Sequence, residues 1–223
     1  DLCPFYNEGA NIYKTHQINI RAERIFKVKN YIYVNNGSSD DTQSKLQTLA
    51  AKNDKIVLIH LIENNGYGSG LKSGLKACTA SHAIITHGDG QFDIYDTYRN
   101  LSSRSYRLDV ANVIPKRVGR SFIERVQTHL VRMILSIILF KHLPDFNGQP
   151  KLLNLTSLGE ISSLPDDFTI DLEMCLRVKQ PYSGVYAHVS DRSSGKSKWN
   201  SGLIARAYLF SRYIKHTLTR LFQ

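Results

Sequence analysis

The first half of the chain alternates between short apolar segments and segments with helical character, and each apolar segment ends in small polar residues. Residues 31–34 and 55–62 are rich in β-branched and aromatic side chains and stop at the turn pairs Asn36-Gly37 and Asn65-Gly66. Strands separated by single helices form βαβ units. The alternation therefore predicts an α/β protein with a mostly parallel central sheet flanked by helices.

The second half is less regular, but elements are predicted along the whole chain. Helices are expected at 39–49, 69–79, 122–143, 171–179 and 203–222, and strands at 31–34, 55–62, 84–89, 110–114 and 184–189. One apolar stripe of the helix at 122–143 consists of Val126, Leu130, Met133, Ile134, Ile137 and Ile138. We expect one domain over residues 1–200 and a basic amphipathic helix at 201–223. The opening Asp1-Leu2-Cys3-Pro4 is typical of the tail of a strand whose beginning is missing.

The chain carries a large excess of positive charge. Its 29 Lys and Arg against 19 Asp and Glu give a net charge of +10, which favours a polyanionic partner such as nucleotide phosphates, nucleic acid or an anionic membrane. No zinc-ligand spacing, RNP-like aromatic motif or helix-turn-helix supports nucleic-acid binding, so we expect none. The cysteines, Cys3, Cys78 and Cys175, are odd in number and far apart. This favours a reducing, cytoplasmic compartment without disulfides.

Asp89 is the strongest candidate for ligand binding. It follows the apolar run Ile84-Ile85-Thr86 within His87-Gly88-Asp89-Gly90-Gln91. Open α/β sheets bind ligands at the carboxyl ends of their buried parallel strands. A carboxylate there, in a strongly basic chain, indicates a divalent cation under a phosphorylated substrate. The alternative is an acidic turn that caps the next helix, and Asp93 is a second candidate for either role.

Six segments follow one another in a recognisable order. They are Pro4-Phe5-Tyr6-Asn7-Glu8, the turn from Asn36 to Thr42, the glycine-rich run from Asn65 to Gly74, Gly88-Asp89-Gly90-Gln91, the stretch from Asp145 to Lys151, and the stretch from Arg192 to Lys198. Together they resemble the family-two glycosyltransferases of GT-A fold, a Rossmann-like fold of nucleotide-diphosphosugar transferases. The resemblance is closest to the branch that contains dolichyl-phosphate mannosyltransferase and bacterial polyprenyl-phosphate glycosyltransferases.

The resemblance implies that the first two loops bind the nucleotide base and ribose. The matching residues are Pro4, Tyr6, Glu8, Asn36, Ser38 and Asp40. The family usually has Asp-Asp before Gly-Ser, whereas this chain has Asn35-Asn36. An Asn side chain can accept a hydrogen bond from a base N–H, but it also donates, so the base stays open between uracil and guanine. An ordinary tight turn at Asn36-Gly37 is the alternative role.

The fourth segment matches the family's metal motif, Asp-x-Asp followed by Gln. Asp89 and Gln91 match, while His87 stands where the first acid is usual. The implied cofactor is Mg²⁺ or Mn²⁺, and a neutral imidazole binds manganese more readily than magnesium. The alternative for His87 is a structural role beside the site. The glycines from Gly66 to Gly74 do not have dinucleotide-fold spacing and are expected to allow close packing of a helix on the sheet.

The resemblance also implies the groups around the phosphates and the acceptor. The phosphate-binding candidates are Arg117, Arg125, Arg192, Ser197 and Lys198. Asp145 matches an acid that acts as general base or orients the acceptor, and Lys151 is expected to pair with Asp145 or to meet an acceptor phosphate. Asp171 and Glu173 match an acidic pair, for which the alternative is electrostatic complement to a helix N-terminus.

The implied activity is inverting transfer of a sugar from a UDP- or GDP-linked donor to a lipid phosphate acceptor, a polyprenyl (dolichyl or undecaprenyl) phosphate. The alternatives are a polysaccharide or protein acceptor, and an inactive nucleotide-sugar-binding protein. From Arg192 onward the chain has seven Lys or Arg and no acid, so the helix at 203–222 suits the surface of an anionic membrane on its cytoplasmic face. The alternative is that its apolar stripe covers the sheet.

Overall fold

In a computed structural model that describes residues 1–100, 112–178, 181–190 and 203–222, a five-stranded sheet lies at the centre of the fold. The strands are β1 (Leu2–Phe5), β2 (Tyr31–Asn36), β3 (Ile56–Leu61), β4 (His82–Ile85), β5 (Lys116–Val118), β6 (Lys151–Asn154) and β7 (Tyr186–His188). The helices are α1 (Ile12–Ile20), α2 (Thr42–Ala50), α3 (Tyr67–Lys76), α4 (Ile94–Tyr98), α5 (Phe122–Ile138), α6 (Ile170–Arg177) and α7 (Leu203–Leu221).

The central sheet is mostly parallel, as predicted. Its strand order is β3-β2-β1-β4-β6. The pairs β1–β2, β2–β3 and β1–β4 are parallel, and β6 alone in this sheet runs antiparallel, beside β4. Strands β5 and β7 form a separate two-stranded parallel sheet. Because β1 to β4 run in the same direction, the loops that follow them open at one edge of the sheet.

Burial on both faces explains why the strands are nearly continuous apolar runs. Every residue of β1 and β2 is buried, as expected for parallel strands covered by helices on both sides. Helix α3 packs on β1 and β2, where a Cβ at Gly74 would overlap the side chain of Leu2. This confirms the prediction that the glycines of this segment permit close helix–sheet packing.

Helix α3 also begins against a distant loop. Ser69 N donates to Asp166 O (2.9 Å), and Lys72 forms an ion pair with Asp166 (2.6 Å). Gly66, with φ of 107°, has no room for a Cβ because that atom would overlap the carbonyl oxygen of Asp166. The start of α3 is thus fixed against the segment that precedes α6.

Several predicted boundaries were wrong. The helix predicted at 122–143 ends at Ile138, and Phe140 beyond it has a positive φ of 48°. Of the strand predicted at 110–114, the described part contributes only isolated bridges from Val113 to Leu152 and Tyr182. Helix α2, expected from residue 39, begins at Thr42. The predicted domain boundary near residue 200 lies outside the described residues.

The two amphipathic helices α5 and α7 pack against each other. On α5, Leu135 is the one fully buried residue of the helix, whereas Val126, Leu130, Met133 and Ile137 of the predicted stripe are exposed. Within the described part of the chain, no helix combines the length and apolar character needed to cross a membrane.

Candidate functional site

The loops after β1 and β2 are joined by hydrogen bonds at the carboxyl edge of the sheet. The bonds run from Asn7 N to Ser38 Oγ (3.0 Å), from Glu8 N to Thr42 Oγ1 (3.0 Å) and from Gly9 N to Asp40 Oδ2 (3.1 Å). Burial alone would raise the pKa of Asp40, but hydrogen bonds from Thr42 and Gly9 outweigh it and lower the pKa below its ordinary value. The structure therefore brings together Glu8, Ser38 and Asp40 of the predicted nucleotide residues.

Pro4 and Tyr6 of the same predicted set differ in position. Pro4 lies inside β1, where it is buried beside Val34 of β2. Its carbonyl oxygen lies against Gly88, so close that a Cβ at Gly88 would approach it to 2.8 Å. Tyr6 is half-buried, just beyond the end of β1. The end of β1 and the acidic loop are therefore in direct contact.

The Asn35-Asn36 pair has two different environments. Asn35 is fully buried, with Nδ2 2.8 Å from Nδ1 of His60 and Oδ1 accepting from Ser38 N (3.2 Å). Asn36 donates from Nδ2 to Gly66 O (3.1 Å). Its Oδ1 is buried and has no hydrogen-bond partner among the described residues. Buried amide oxygens normally accept a hydrogen bond. Oδ1 of Asn36 is therefore an unsatisfied acceptor within the described structure.

The acidic loop follows β4 and is fixed at several points. Asp89 is nearly buried, and its Oδ1 accepts from Gln91 N (3.2 Å). Thr15 Oγ1 donates to Gly88 O (3.1 Å), and Gln91 Nε2 donates to Ser190 O (2.9 Å) beyond β7. These contacts connect the loop to α1 and to the two-stranded sheet.

His87 lies between two aromatic rings. Its ring makes edge contacts with Tyr67 and Phe92, at centroid distances of 5.8 and 5.9 Å. Burial lowers the pKa of His87, although the charges of Asp89 and Asp171 oppose the shift. A lowered pKa favours the neutral imidazole, which is the form that binds metals.

Asp93 caps α4. Its Oδ1 accepts from Asp96 N (3.0 Å), and the other oxygen forms an ion pair with Arg21. The capping alternative considered for this acidic segment thus applies to Asp93 and not to Asp89.

The residues of the acidic loop fit a metal ion that is held partly by a substrate. Within the described ranges, no cluster of three or more His, Cys, Asp or Glu forms a closed metal site. Magnesium, however, keeps several waters and is commonly bound through one or two carboxylates plus substrate phosphates. Asp89 and the neutral His87, two residues apart on one loop, supply such a partial donor set.

Arg117 and Asp145, predicted to bind phosphate and to act on the acceptor, form an ion pair with each other. Arg117 donates from Nε to Oδ2 (3.0 Å), from Nη2 to Oδ1 (2.8 Å) and from its backbone N to Oδ2 (3.1 Å). Burial would raise the pKa of Asp145, but the charge and hydrogen bonds of Arg117 outweigh it and lower the pKa. A carboxylate in this environment is a weak base and is better suited to orienting a neighbour.

Arg120 is the residue that sequence reasoning missed. Its Nη2 lies 3.7 Å from Asp145 Oδ2, Nη1 donates to Thr128 Oγ1 (2.8 Å), and Nε is buried without a partner among the described residues. The sequence does contain a sign of this role, because Arg120 belongs to a basic segment around Arg117. Family matching selected only Arg117 and Arg125 from that run.

Lys151, the predicted acceptor residue, lies inside the fold and pairs with Asp171 rather than with Asp145. Its side chain is 0% exposed, and Nζ forms an ion pair with Asp171 Oδ1 (2.8 Å) instead of Asp145. The amide of Gln149 is satisfied when its oxygen accepts from Lys151 Nζ (2.9 Å) and its nitrogen donates to Ile85 O (2.5 Å). A buried ammonium is stable only with such partners. Lys151 is therefore held inside the fold by Asp171 and Gln149.

The acidic pair predicted at the start of α6 joins two other parts of the fold. Asp171 neutralises Lys151 of β6. Glu173 binds Arg177 Nε (2.7 Å), His216 Nε2 (2.9 Å) and Arg220. Burial would raise the pKa of Glu173, but these hydrogen bonds and charges lower it to about 2. Glu173 thereby fastens α7 to α6.

Of the remaining phosphate candidates, the described residues include Arg125. Arg125 is exposed on α5, with its guanidinium 5.9 Å from the ring centroid of Phe122. Arg192, Ser197 and Lys198 lie outside the described residues.

Comparison with known proteins adds a family and a set of related folds. The model of the family described as Glycosyl transferase family 2 matches residues 2–158. A curated relative, the putative glycosyltransferase CsbB of Bacillus subtilis (strain 168), is 23% identical over 203 residues. The match covers 89% of this chain and 61% of CsbB, so the chain spans about three fifths of that relative.

Two solved structures show the same architecture. S. aureus TarS 1–349 in complex with UDP-GlcNAc has a TM-score of 0.58 at 14% identity, covering 96% of this chain and 65% of TarS 1–349. Glucosyl-3-phosphoglycerate synthase from Mycobacterium tuberculosis, with Mn²⁺, UDP and phosphoglyceric acid, has a TM-score of 0.61 at 15% identity, covering 97% and 75%. These likenesses confirm the predicted GT-A fold.

Proposed function

Because the chain belongs to glycosyl transferase family 2, we propose that it transfers a hexose, with inversion, from a nucleoside-diphosphate sugar to an acceptor. The observation that carries the proposal is that the loops after β1 and β2 and the acidic loop after β4 lie at one sheet edge, joined directly or through the end of β1. Hydrogen bonds join the loops after β1 and β2, and Gly88 of the acidic loop lies against Pro4. The nucleotide end and the diphosphate end of a donor then have adjacent binding sites.

The nucleoside would occupy the first two loops. The buried Oδ1 of Asn36, without a partner among the described residues, would accept an N–H of the base, which both uracil and guanine provide at their Watson–Crick edge. UDP is the first choice, since TarS and glucosyl-3-phosphoglycerate synthase were solved with UDP or a UDP-sugar. Tyr6, Glu8, Ser38 and Asp40 would complete the ribose and base site.

Asp89 and His87 are the residues that would hold Mg²⁺ or Mn²⁺, with Gln91 fixing the carboxylate through its backbone N–H. A divalent cation supplies neutralisation of the charge that grows on the leaving diphosphate. The imidazole of His87 favours manganese, the ion present in the mycobacterial synthase structure.

Arg117, held by Asp145, would meet a phosphate with the Nη1 donors that its contact with Asp145 does not use. The lowered pKa of Asp145 suits a reaction that needs no strong base. A phosphate-monoester acceptor is already an anion and can attack the anomeric carbon without being deprotonated. This favours a polyprenyl phosphate, as in the polyprenyl-phosphate branch of the family, over a sugar hydroxyl.

Helix α7 supports a position at the cytoplasmic face of an anionic membrane. Polar contacts attach it to the domain, including Arg212 Nε to Asp167 (3.0 Å) and Tyr213 OH to Asn147 (3.2 Å). Tyr213 and Ile214 pack on the core, whereas Leu218, Leu221 and Phe222 are exposed. The stripe therefore covers the fold in part and leaves its last apolar residues available to lipid.

Calorimetric titration with UDP and GDP, with and without Mn²⁺, tests the donor site, and hydrolysis or transfer of the matching hexose tests turnover. We expect UDP binding to depend on the cation and to be lost in Asp89→Ala, but not in the exposed control Asp54→Ala. Transfer of the hexose to undecaprenyl phosphate and to phosphoglyceric acid is then compared, to decide between a lipid and a soluble acceptor. If Asp89→Ala binds UDP and consumes the donor sugar as the unsubstituted chain does, the proposal is refuted.

A second candidate is a nucleotide-sugar-binding protein without turnover. It is favoured by the replacement of the usual acids by Asn35-Asn36 and His87. Cation-dependent UDP binding without consumption of donor in the presence of any acceptor would select it.

A further inference from the structure

Helix α5 exposes a long apolar stripe. Ile123, Val126, Leu130, Met133 and Ile137 follow at alternating spacings of three and four residues, which places them along one side of a helix. All five are exposed, Ile137 to 65%. Phe122 and Phe140 extend the stripe at its two ends, and Phe140 is 97% exposed. Isolated apolar side chains at a surface are ordinary, but a contiguous patch indicates an interaction site.

This stripe is a second apolar face, in addition to the one that holds α5 on the protein. The inward side of α5 carries Leu135, which is fully buried, with Val131 and Leu139 packed against the main core. These residues lie on the other side of the helix from Ile123 and Ile137. The fold of the described residues therefore needs only the inward side and leaves the outer stripe uncovered.

Basic groups flank the outer stripe. Arg125 and His129 lie on α5 itself, and a groove of about 430 Å³ at the end of the helix is lined by Arg132, Lys141 and His142 together with Met133, Ile137 and Phe140. The one acid of α5, Glu124, is occupied in a capping box with Ser121. Apolar surface next to cations matches an anionic amphiphile, with a phosphate at the cations and a hydrocarbon chain on the stripe.

Helix α7 carries a second exposed apolar surface. Arg206 of α7 donates to Gln127 of α5 (3.0 Å), and the two helices pack on each other. A second groove, of about 620 Å³, is lined by Lys215 with Phe210, Ile214, Leu218 and Phe222. Both helices thus combine exposed apolar residues with cations.

We infer that the outer stripe of α5 is a docking surface for an anionic lipid bilayer, with α5 lying in the plane of the interface. A second copy of the chain fits less well, because it would bring the same basic groups and no unoccupied carboxylate of α5 to match them. The inference agrees with the proposed lipid-phosphate acceptor, but it is argued from the exposed residues and charges of α5 and does not depend on that acceptor. It assigns the main insertion to α5, with α7 as a secondary contact.

Vesicle flotation of the full chain tests this, with phosphatidylcholine alone and with added phosphatidylglycerol. We expect flotation only with the anionic lipid. In Ile137→Glu the partition coefficient is expected to fall at least about tenfold, because the burial of one Ile side chain is lost and the negative charge of Glu is repelled by the anionic lipid. Ile62→Glu is the matched control, since Ile62 is 90% exposed outside this surface and its substitution is expected to leave flotation unchanged.

Each outcome is decisive when folding is checked by circular dichroism. Equal flotation of Ile137→Glu and the unsubstituted chain, or no flotation of either, overturns the inference. A dimer in light scattering that Ile137→Glu dissociates, without vesicle binding, assigns the stripe to a second copy and also overturns it. UDP titration in the same samples reports separately on the proposed function, because Ile137 is not among the donor residues.

Discussion

Arg117 binds both carboxylate oxygens of Asp145, with Nε 3.0 Å from Oδ2 and Nη2 2.8 Å from Oδ1. Both side chains are largely buried, so removal of one partner leaves a desolvated charge. We expect Asp145→Asn to lower the free energy of unfolding by about 3 kcal/mol, measured by urea denaturation. Asp54→Asn, at an exposed position, is expected to change it little.

The same variant separates two roles of Asp145 in turnover. If Asp145 orients Arg117, the pH–rate profile of Asp145→Asn keeps the shape of the unsubstituted profile at a lower rate. Disappearance of its acidic limb would instead identify Asp145 as the general base.

Glu173 makes stability depend on pH. Its pKa is lowered to about 2 from an ordinary value of 4.5, so its contribution is fully present above about pH 4.5 and is lost as the pH falls towards 2. A shift of this size corresponds to about 3 kcal/mol. We expect the difference in unfolding free energy between the unsubstituted chain and Glu173→Gln to be constant above pH 5 and to shrink below it. A difference that stays constant down to pH 3 would contradict this role.

The buried pair of Lys151 and Asp171 predicts a non-additive double variant. Lys151→Met leaves Asp171 uncompensated and is expected to cost about 3–5 kcal/mol, while Lys151→Met combined with Asp171→Leu is expected to restore most of it. Urea denaturation measures both. Turnover that recovers together with stability supports a purely structural pair, and turnover that stays absent would show that Lys151 or Asp171 also acts on a substrate.

His87 predicts the choice of cation. We expect His87→Asp to shift the preference from Mn²⁺ towards Mg²⁺, because magnesium prefers oxygen ligands over imidazole. The measurement is UDP affinity with each ion in turn. The control is His188→Asp, because His188 is exposed. His60 is not used, because it contacts Asn35. An unchanged ratio of the two affinities would assign His87 a structural role.

Asn36 predicts base recognition. Its amide donates to Gly66 O and leaves Oδ1 without a partner in the described structure. Asn36→Leu is expected to weaken UDP binding about tenfold, since a net hydrogen bond is worth about 1 kcal/mol or slightly more. Comparison with ribose 5-phosphate, which lacks the base, is the control. An equal loss for both ligands would indicate that the loop itself had been disturbed.

The sequence predicts local features of this fold well and contacts between distant residues poorly. The strand through residues 31–34 and the acidic loop at Asp89 follow from short-range patterns, an apolar run and the polar residues at its end. The ion pair of Lys151 with Asp171 joins residues twenty positions apart, and nothing local distinguishes a buried lysine from an exposed one. Its correct partner therefore appears only when β6 and α6 are packed together.

The helical stripes illustrate a different limit. Periodicity correctly indicates that 122–143 contains an amphipathic helix, but it does not tell which side faces the protein. The side holding Leu135 is buried, whereas the side holding Leu130 and Ile137 is exposed. A helix with apolar residues on both sides satisfies the pattern in either orientation, and only the packing of its neighbours decides.

The close approach of Gly66 to Asp166 has a consequence for how this chain can change over evolutionary time. Asn36, a proposed nucleotide residue, donates a hydrogen bond to Gly66, and Asp167, next to Asp166, binds Arg212 of α7. A single short junction therefore serves two ends of the molecule. Substitutions that reshape α7 would therefore have to keep the contact between Gly66 and Asp166. If they did not, the position of Asn36 would change as well.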